Sequence, residues 1–64
     1  MDLRTVVAMK VGVKRATELI GKGSVYVNGI CNLSPLREIK EGDSVEFLSH
    51  KMKVGQGGEV RRNA

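Results

Sequence analysis

Apolar residues near the start of the chain are spaced in a way that fits two kinds of element. Positions 3, 6, 7 and 11 form the apolar stripe of a helix, whereas every second residue from Leu3 to Val11 is apolar or threonine, as in a strand. Valine and threonine favour the strand, and Asp2 is a suitable N-cap for the helix. The pattern alone leaves both interpretations open for residues 2–11.

The stretch after Gly12 predicts a second helix that ends in a glycine break. Gly12 ends the first element, and the second helix is expected to run from Val13 or Lys14 to Lys22. Its buried face is predicted to consist of four apolar residues at helical spacing: Val13, Ala16, Leu19 and Ile20. Gly21 and Gly23 can take the positive φ with which helices commonly end.

A period of two residues then predicts a hairpin. Val25 and Val27 alternate with polar residues, which indicates a strand over Ser24–Asn28 with one buried face. Asn28-Gly29 is typical of a type I′ turn, because both central residues of that turn have positive φ. A second strand over Ile30–Leu33 is expected to pair back on the first.

The rest of the chain is predicted to complete the sheet. The expected elements are a loop at Asn32–Pro35, a turn at Glu41–Asp43, a strand over Ser44–Leu48, a turn at Ser49-His50 and a strand over Lys51–Val54. Leu36 and Ile39 are expected to lie beneath the sheet. Residues 55–64 show no apolar periodicity and are predicted to be a flexible tail, so the domain is expected to span residues 1–54.

Composition narrows the classes of protein that this chain can belong to. It has 64 residues, one cysteine and one histidine, which indicates one small domain without an internal disulfide. Cys31 is predicted to be a small buried residue and His50 an exposed turn residue, so no metal, cofactor or catalytic role is expected. No apolar run reaches the roughly 20 residues of a membrane span and no signal-peptide pattern is present, which predicts a soluble, cytoplasmic protein.

The positive charge is concentrated in the first part of the chain. Residues 1–37 carry six lysines and arginines against two acids, whereas residues 38–64 carry five of each, so the whole net charge of +4 lies in the first part. Such asymmetry fits a nucleic-acid partner, although ordinary solvation of a charged surface accounts for it equally well. Lys14 and Arg15 open the second helix, where the helix dipole prefers acids, and this favours an anion-binding site.

Two motifs in this order give the chain a family resemblance. The run from Ala16 to Gly29, with Leu-Ile, Gly-Ser-Val-Tyr-Val-Asn-Gly, is followed by Ile39-Lys-Glu-Gly-Asp-Ser-Val-Glu-Phe47. Together they resemble the S-four RNA-binding domain family, named after ribosomal small-subunit protein S-four, over roughly residues 3–54. The resemblance implies an α+β fold of the S-four-like, alpha-L type, with two short helices packed on a small antiparallel sheet. It therefore favours the helix for residues 2–11.

The same resemblance implies binding of structured RNA, ribosomal or transfer, and hence a ribosome-associated protein. The family's usual Ser-Arg pair falls near Gly12-Val13, and this chain has Lys14-Arg15 one or two positions later. Charge and strand alternation around this region give the candidate RNA-binding residues: Lys10, Lys14, Arg15, Lys22, Ser24, Tyr26, Asn28 and Arg37. The four lysines and arginines around the second helix are expected to bind phosphates, and Tyr26 to stack on a base or ribose or to be an ordinary surface residue. We expect a monomer with no small-molecule substrate and no membrane partner.

Two other functions are compatible with parts of the sequence. Ubiquitin-like sulfur carriers also show Val-Asn-Gly and a Gly-Asp turn, and Gly57-Gly58 resembles their diglycine end. Such a fold needs a hairpin before its helix, and here the diglycine is followed by residues 59–64. A protein-interaction module, or the RNA-gripping domain of a larger enzyme, is the third possibility.

Overall fold

The chain forms an α+β domain in which two helices precede an antiparallel sheet. The computed structural model describes residues 1–55 and 60–62. Its elements are α1 (Leu3–Val11), α2 (Val13–Gly21), β1 (Val25–Val27), β2 (Ile30–Cys31), β3 (Ser44–Phe47), β4 (His50–Val54) and β5 (Val60–Arg62). The five strands lie in the order β2-β1-β3-β4-β5, and each neighbouring pair is antiparallel. The predicted α+β class, with two short helices packed on a small antiparallel sheet, is confirmed.

Residues 3–11 form a helix, which resolves the ambiguity of the apolar pattern. Asp2 Oδ1 accepts hydrogen bonds from the Thr5 backbone N–H at 2.8 Å and from the Thr5 hydroxyl at 2.7 Å. These bonds hold the pKa of the Asp2 carboxyl below its ordinary value, the side-chain bond having the larger effect. Asp2 thus caps the helix and supplies the negative charge that its N-terminus prefers.

Glycine lies at the end of both helices, and of the two glycines near the end of α2 one takes positive φ. Gly12 joins α1 to α2 with a φ of +87°, as expected of a residue that breaks the helix. Gly21 is helical, and Gly23 alone takes positive φ at the end of α2. There the N–H of Gly23 donates to the Ile20 carbonyl at 3.1 Å and the N–H of Ser24 donates to the Leu19 carbonyl at 3.0 Å. These bonds turn the chain directly from α2 into β1.

Two tight turns set the register of the sheet. Asn28 and Gly29, with φ of +52° and +82°, join β1 to β2 as predicted. Between β3 and β4 the turn is Leu48-Ser49, one residue earlier than expected, because His50 pairs with Phe47 as the first residue of β4. The His50 ring lies against the Phe47 ring, with centroids 5.2 Å apart, and is half-buried. This packing favours His50 as a strand residue and not as an exposed turn residue.

A single apolar core joins the helices to one face of the sheet. Its buried members are Leu3, Val6, Val7, Ala16, Leu19, Ile20, Val25, Val27, Ile39, Val45, Phe47, Met52 and Val54. The inward faces of β1, β3 and β4 and most of both predicted helix faces are therefore confirmed, as is burial of Ile39.

Three apolar residues predicted to be buried are exposed instead. Val13 is 60% exposed because it is the first residue of α2, beside the corner at Gly12. Leu36 is 68% exposed, since backbone hydrogen bonds from Leu3 and Arg4 hold the loop around it to the start of α1 without turning its side chain inward. Cys31 is exposed because β2 is an edge strand of only two residues.

The C-terminal residues differ in part from the predicted tail. Val60–Arg62 form β5, which pairs with β4 through Val54 opposite Val60 and Met52 opposite Arg62. β5 has one apolar residue followed by two arginines, so it shows no apolar alternation from which a strand could be predicted. The rest of the predicted tail beyond Gly55, including Gly57-Gly58, lies outside the described residues.

Candidate nucleic-acid interface

The N-terminus of α2 combines exposed cations with uncapped backbone. Gly12 precedes the helix, has no side chain to accept a hydrogen bond, and is followed by a first turn without an acidic residue. Lys14 and Arg15 lie in this turn and both are exposed. In α1, by contrast, the Asp2 side chain accepts a hydrogen bond from a backbone N–H of the first turn, so the N-terminus of that helix is capped within the protein. The start of α2 therefore has N–H groups and positive side chains available to an external anion.

Lys10 and Lys22 extend this positive surface in two directions. Lys10 lies in the last turn of α1, two residues before Gly12, so it borders the same corner. Lys22 caps the other end of α2. It follows Arg15 by seven residues, which places the two on one side of the helix about 10 Å apart along its axis. We refer to Lys10, Lys14, Arg15 and Lys22 as the basic surface.

Among the described residues, no acid forms an ion pair with the basic surface. In the described part of the chain the salt bridges are those of the N-terminal amine with Glu38 at 3.0 Å and of Lys51 with Glu46 at 3.9 Å. Lys14 and Glu18, which are spaced four residues apart on α2, are not among them. Within residues 1–55 and 60–62, the lysines and arginine of the basic surface thus form no salt bridge.

Ser24 and Tyr26 follow the basic surface along the chain, and Tyr26 lies on the outer face of the sheet, opposite the face that packs against the helices. Tyr26 lies between two buried valines in β1, so its side chain points away from the core, and it is 42% exposed. Ser24 is half-buried between the end of α2 and β1. An open groove of about 280 Å³ runs along this face. Its lining residues are Ser24, Tyr26, Gly29, Glu46, Phe47 and Leu48.

The Asn28 side chain forms hydrogen bonds to a distant part of the chain, which the sequence did not reveal. Its amide nitrogen donates to Asp43 Oδ1 at 3.0 Å, and its amide oxygen accepts from the Ser44 backbone N–H at 2.9 Å. Asp43 Oδ2 in turn accepts the backbone N–H of Lys40 at 2.8 Å. The Lys40 bond and then the Asn28 bond hold the pKa of the Asp43 carboxyl below its ordinary value. The side chain of Asn28 therefore ties the β1–β2 turn to the start of β3.

Arg37 lies at the other end of α1 from the corner that holds Lys10, Lys14 and Arg15. Its carbonyl accepts the backbone N–H of Leu3 at 2.9 Å, which places it at the start of α1, whereas Lys10 lies in the last turn of that helix. Its positive charge also acts on the Asp43 carboxyl. The structure therefore brings Lys10, Lys14 and Arg15 to one corner and leaves Arg37 at the start of α1.

Groups that could support other chemistry are scattered. Among the described residues, no three histidine, cysteine or carboxylate side chains are close enough together to hold a metal ion. The Cys31 thiol donates a weak hydrogen bond to the Gly23 carbonyl at 3.5 Å. Across residues 1–55 and 60–62, neither helix has the length and apolar character needed to cross a membrane.

Comparison with known proteins finds no match: no family model fits the chain, and neither a curated protein nor a solved structure matches it. The resemblance to the S-four family therefore stays a prediction from the two motifs, and support for a function comes from the basic surface and the adjoining strand.

Proposed function

We propose that this protein binds structured RNA, such as ribosomal or transfer RNA, through the basic surface and the adjoining part of β1. It acts as a binding module in the cytoplasm, as a monomer and without catalysis. One observation carries this proposal: α2 begins with an uncapped turn that holds two exposed cations and no acid.

The start of α2 has the chemistry of a phosphate site. Backbone N–H groups and the helix dipole favour an anion at this end. Arg15 can grip a phosphate with two parallel hydrogen bonds, and Lys14 adds a point charge. A polyanion with regularly spaced phosphates can also reach Lys22, about 10 Å further along the helix.

The neighbouring sheet favours folded RNA over a simple polyanion. The chain passes from Lys22 through Ser24 to Tyr26, so a hydroxyl and an exposed aromatic ring follow the last cation of the basic surface within four residues of the chain. Unpaired bases of RNA stack on such rings, and hydroxyl groups can bond to ribose or phosphate oxygens. The adjacent polar and aromatic contacts thus fit loops and bulges of structured RNA.

The ubiquitin-like alternative receives less support from the element order. That fold requires a hairpin before its helix, whereas α2 is preceded by α1. The diglycine on which the alternative rests lies outside the described residues. We therefore retain RNA binding as the proposal.

A salt titration with charge-matched variants tests the basic surface. The affinity of the parent protein for a fluorescent structured RNA should fall with a log–log slope of about −0.7 to −0.9 per neutralised phosphate, and three to five phosphates are expected to contribute. In the Lys14→Ala/Arg15→Ala variant the slope should become shallower by roughly 1.4–1.8, and affinity should fall about tenfold or more. Circular dichroism should show an unchanged fold, because both side chains are exposed.

The control variant removes the same charge elsewhere. Lys40→Ala/Lys53→Ala also deletes two exposed lysines but leaves α2 intact. It should bind nearly as tightly as the parent protein. Equal weakening by both double variants would mean that net charge alone attracts the RNA and that the basic surface is wrongly assigned. Absence of binding by the parent protein at low salt would overturn the proposed function.

A further inference from the structure

The groove on the outer face of the sheet is built around a row of side chains with complementary chemistry. Tyr26 pairs with Cys31 on one side and with Glu46 on the other, and Glu46 pairs with Lys51. Directly opposed residues of antiparallel strands share a face and lie close together. An aromatic ring, a carboxylate and an ammonium group are therefore neighbours, and the first two line the groove.

Leu48 forms part of the groove wall in an unfavourable conformation. It occupies the β3–β4 turn with a φ of +51°, and its side chain is 58% exposed. Glycine, asparagine or aspartate suits this backbone, as the Asn28-Gly29 turn of the same sheet shows. Leucine is β-unbranched but has no local hydrogen bond to offset the strain. Because the fold gains little from an exposed leucine here, its apolar contact with a partner in the groove is a reason for its presence.

We propose that this groove binds one unpaired guanine base of the RNA, an inference that rests on the proposed function. Tyr26 stacks on the base and Leu48 contacts its apolar face. Glu46 accepts hydrogen bonds from N1–H and from the exocyclic N2 amine. Lys51, whose Nζ is 3.9 Å from Glu46 Oε2, is placed to meet a phosphate of the same strand.

The carboxylate of Glu46 selects guanine among the four bases. A carboxylate has two acceptor oxygens and no donor. Guanine presents two adjacent N–H donors on its Watson–Crick edge. Adenine and cytosine place a ring-nitrogen acceptor beside their amino group, and uracil flanks its single donor with carbonyl oxygens. Only guanine thus satisfies both oxygens without bringing an acceptor against the negative charge.

Tyr26 gives this proposal a direct optical readout. It is the only tyrosine and the chain has no tryptophan, so tyrosine emission reports on this position alone. The probes are five-nucleotide RNAs of uridine with guanosine, inosine, adenosine or cytidine at the centre, together with guanosine monophosphate. The guanosine RNA should quench Tyr26 emission and bind about tenfold more tightly than the adenosine and cytidine RNAs. Inosine, which lacks the N2 amine, should bind several-fold more weakly than guanosine.

Substitutions in the groove separate base recognition from RNA binding as a whole. Glu46→Gln should lose the preference for guanosine while Tyr26 is still quenched, and Glu41→Gln, at an exposed turn position, should keep the preference. Leu48→Asn should match or exceed the parent protein in thermal stability but bind the guanosine RNA several-fold more weakly. A guanosine preference that survives in Glu46→Gln would overturn the proposal.

The outcomes distinguish this proposal from the proposed function. Equal binding of all four five-nucleotide RNAs, with normal salt-dependent binding of structured RNA, overturns the guanine site and leaves the proposed function standing. Glu46-dependent quenching by guanosine monophosphate without binding of any RNA supports a guanine-binding groove and overturns the proposed function.

Discussion

Asn28 has both a positive φ and a side chain that forms two long-range hydrogen bonds, a combination that few other residues can provide. Its backbone has a φ of +52°, a conformation that asparagine tolerates better than most side chains. Its amide also bonds to Asp43 and to the backbone of Ser44, fifteen and sixteen residues further along the chain. A residue that looks like an exposed RNA ligand thus fixes one turn against the following strand.

Two substitutions at Asn28 separate the effect of its backbone conformation from that of its side-chain hydrogen bonds. Asn28→Gly keeps the backbone relaxed and removes both hydrogen bonds, so it should lower the free energy of unfolding by about 1–2 kcal/mol. Asn28→Ala adds backbone strain and should lose roughly 1 kcal/mol more. Urea unfolding at neutral pH measures both values. If Asn28→Gly retained full stability but lost RNA affinity, the side chain would be a direct RNA contact and its structural role would be secondary.

At the scale of elements, the joint between the two helices depends on a single glycine. Gly12 ends α1, where its N–H donates to the Ala8 carbonyl at 2.9 Å, and its own carbonyl accepts the first hydrogen bond of α2 from Ala16 at 2.9 Å. Its φ of +87° and ψ of 161° fall in a region that is essentially restricted to glycine. The position of the basic surface therefore depends on this backbone conformation.

Substitution of two glycines by alanine should shift stability in opposite directions. Gly12→Ala meets no atom within 4 Å, so its cost is backbone strain alone, about 1–3 kcal/mol. Gly21→Ala also enters open space, but Gly21 is helical, so this change should stabilise the protein by roughly 0.5–1 kcal/mol. Thermal unfolding followed by circular dichroism measures both. A neutral Gly12→Ala would show that the joint does not need this conformation.

The elements were predictable where the sequence contains residues typical of a helix break or a turn, or a clear apolar alternation. Gly12, Asn28-Gly29 and the alternation of Val25 and Val27 gave the boundary between the first two elements, the first hairpin and its buried face. The pattern left the first element open between helix and strand, and only the family resemblance favoured the helix. The second turn was misplaced by one residue because Leu48 carries no turn signal. The role of Asn28 was missed for a related reason: its partner Asp43 is fifteen residues away, and a single sequence gives no register between separate strands.

The candidate site was predictable to a lesser extent. Clustering of Lys10, Lys14 and Arg15 follows from chain proximity around Gly12, so local reasoning was sufficient. Arg37 was grouped with them by charge alone, and the fold places it at the start of α1. Glu46 was not considered, because only the pairing of β1 with β3 brings it beside Tyr26.

At the scale of the whole molecule, the core is small and continuous. Among the residues whose burial the structure describes, thirteen form this core, in a body with a radius of gyration of 10.2 Å. Typical values per residue give a domain of this length a free energy of unfolding of roughly 3–10 kcal/mol. Loss of one large core side chain is therefore comparable to the total stability.

Two leucines show how strongly this core depends on burial. Leu19 is 1% exposed and Leu36 is 68% exposed, although both are apolar residues that the pattern assigned to the interior. Leu19→Ala should lower the free energy of unfolding by about 2–5 kcal/mol, whereas Leu36→Ala should change it by less than about 0.5 kcal/mol. Urea unfolding followed at 222 nm measures the difference.

The same pair links the core to RNA binding. If Leu19→Ala weakens binding only because much of the protein is unfolded, an osmolyte such as sucrose should restore affinity together with helical signal, since it favours the compact state. Leu36→Ala should bind like the parent protein with or without sucrose. Equal destabilisation by the two substitutions would place Leu36 in the core and contradict the packing described above. Refolding of Leu19→Ala without recovery of affinity would instead show that Leu19 shapes the basic surface on α2 directly.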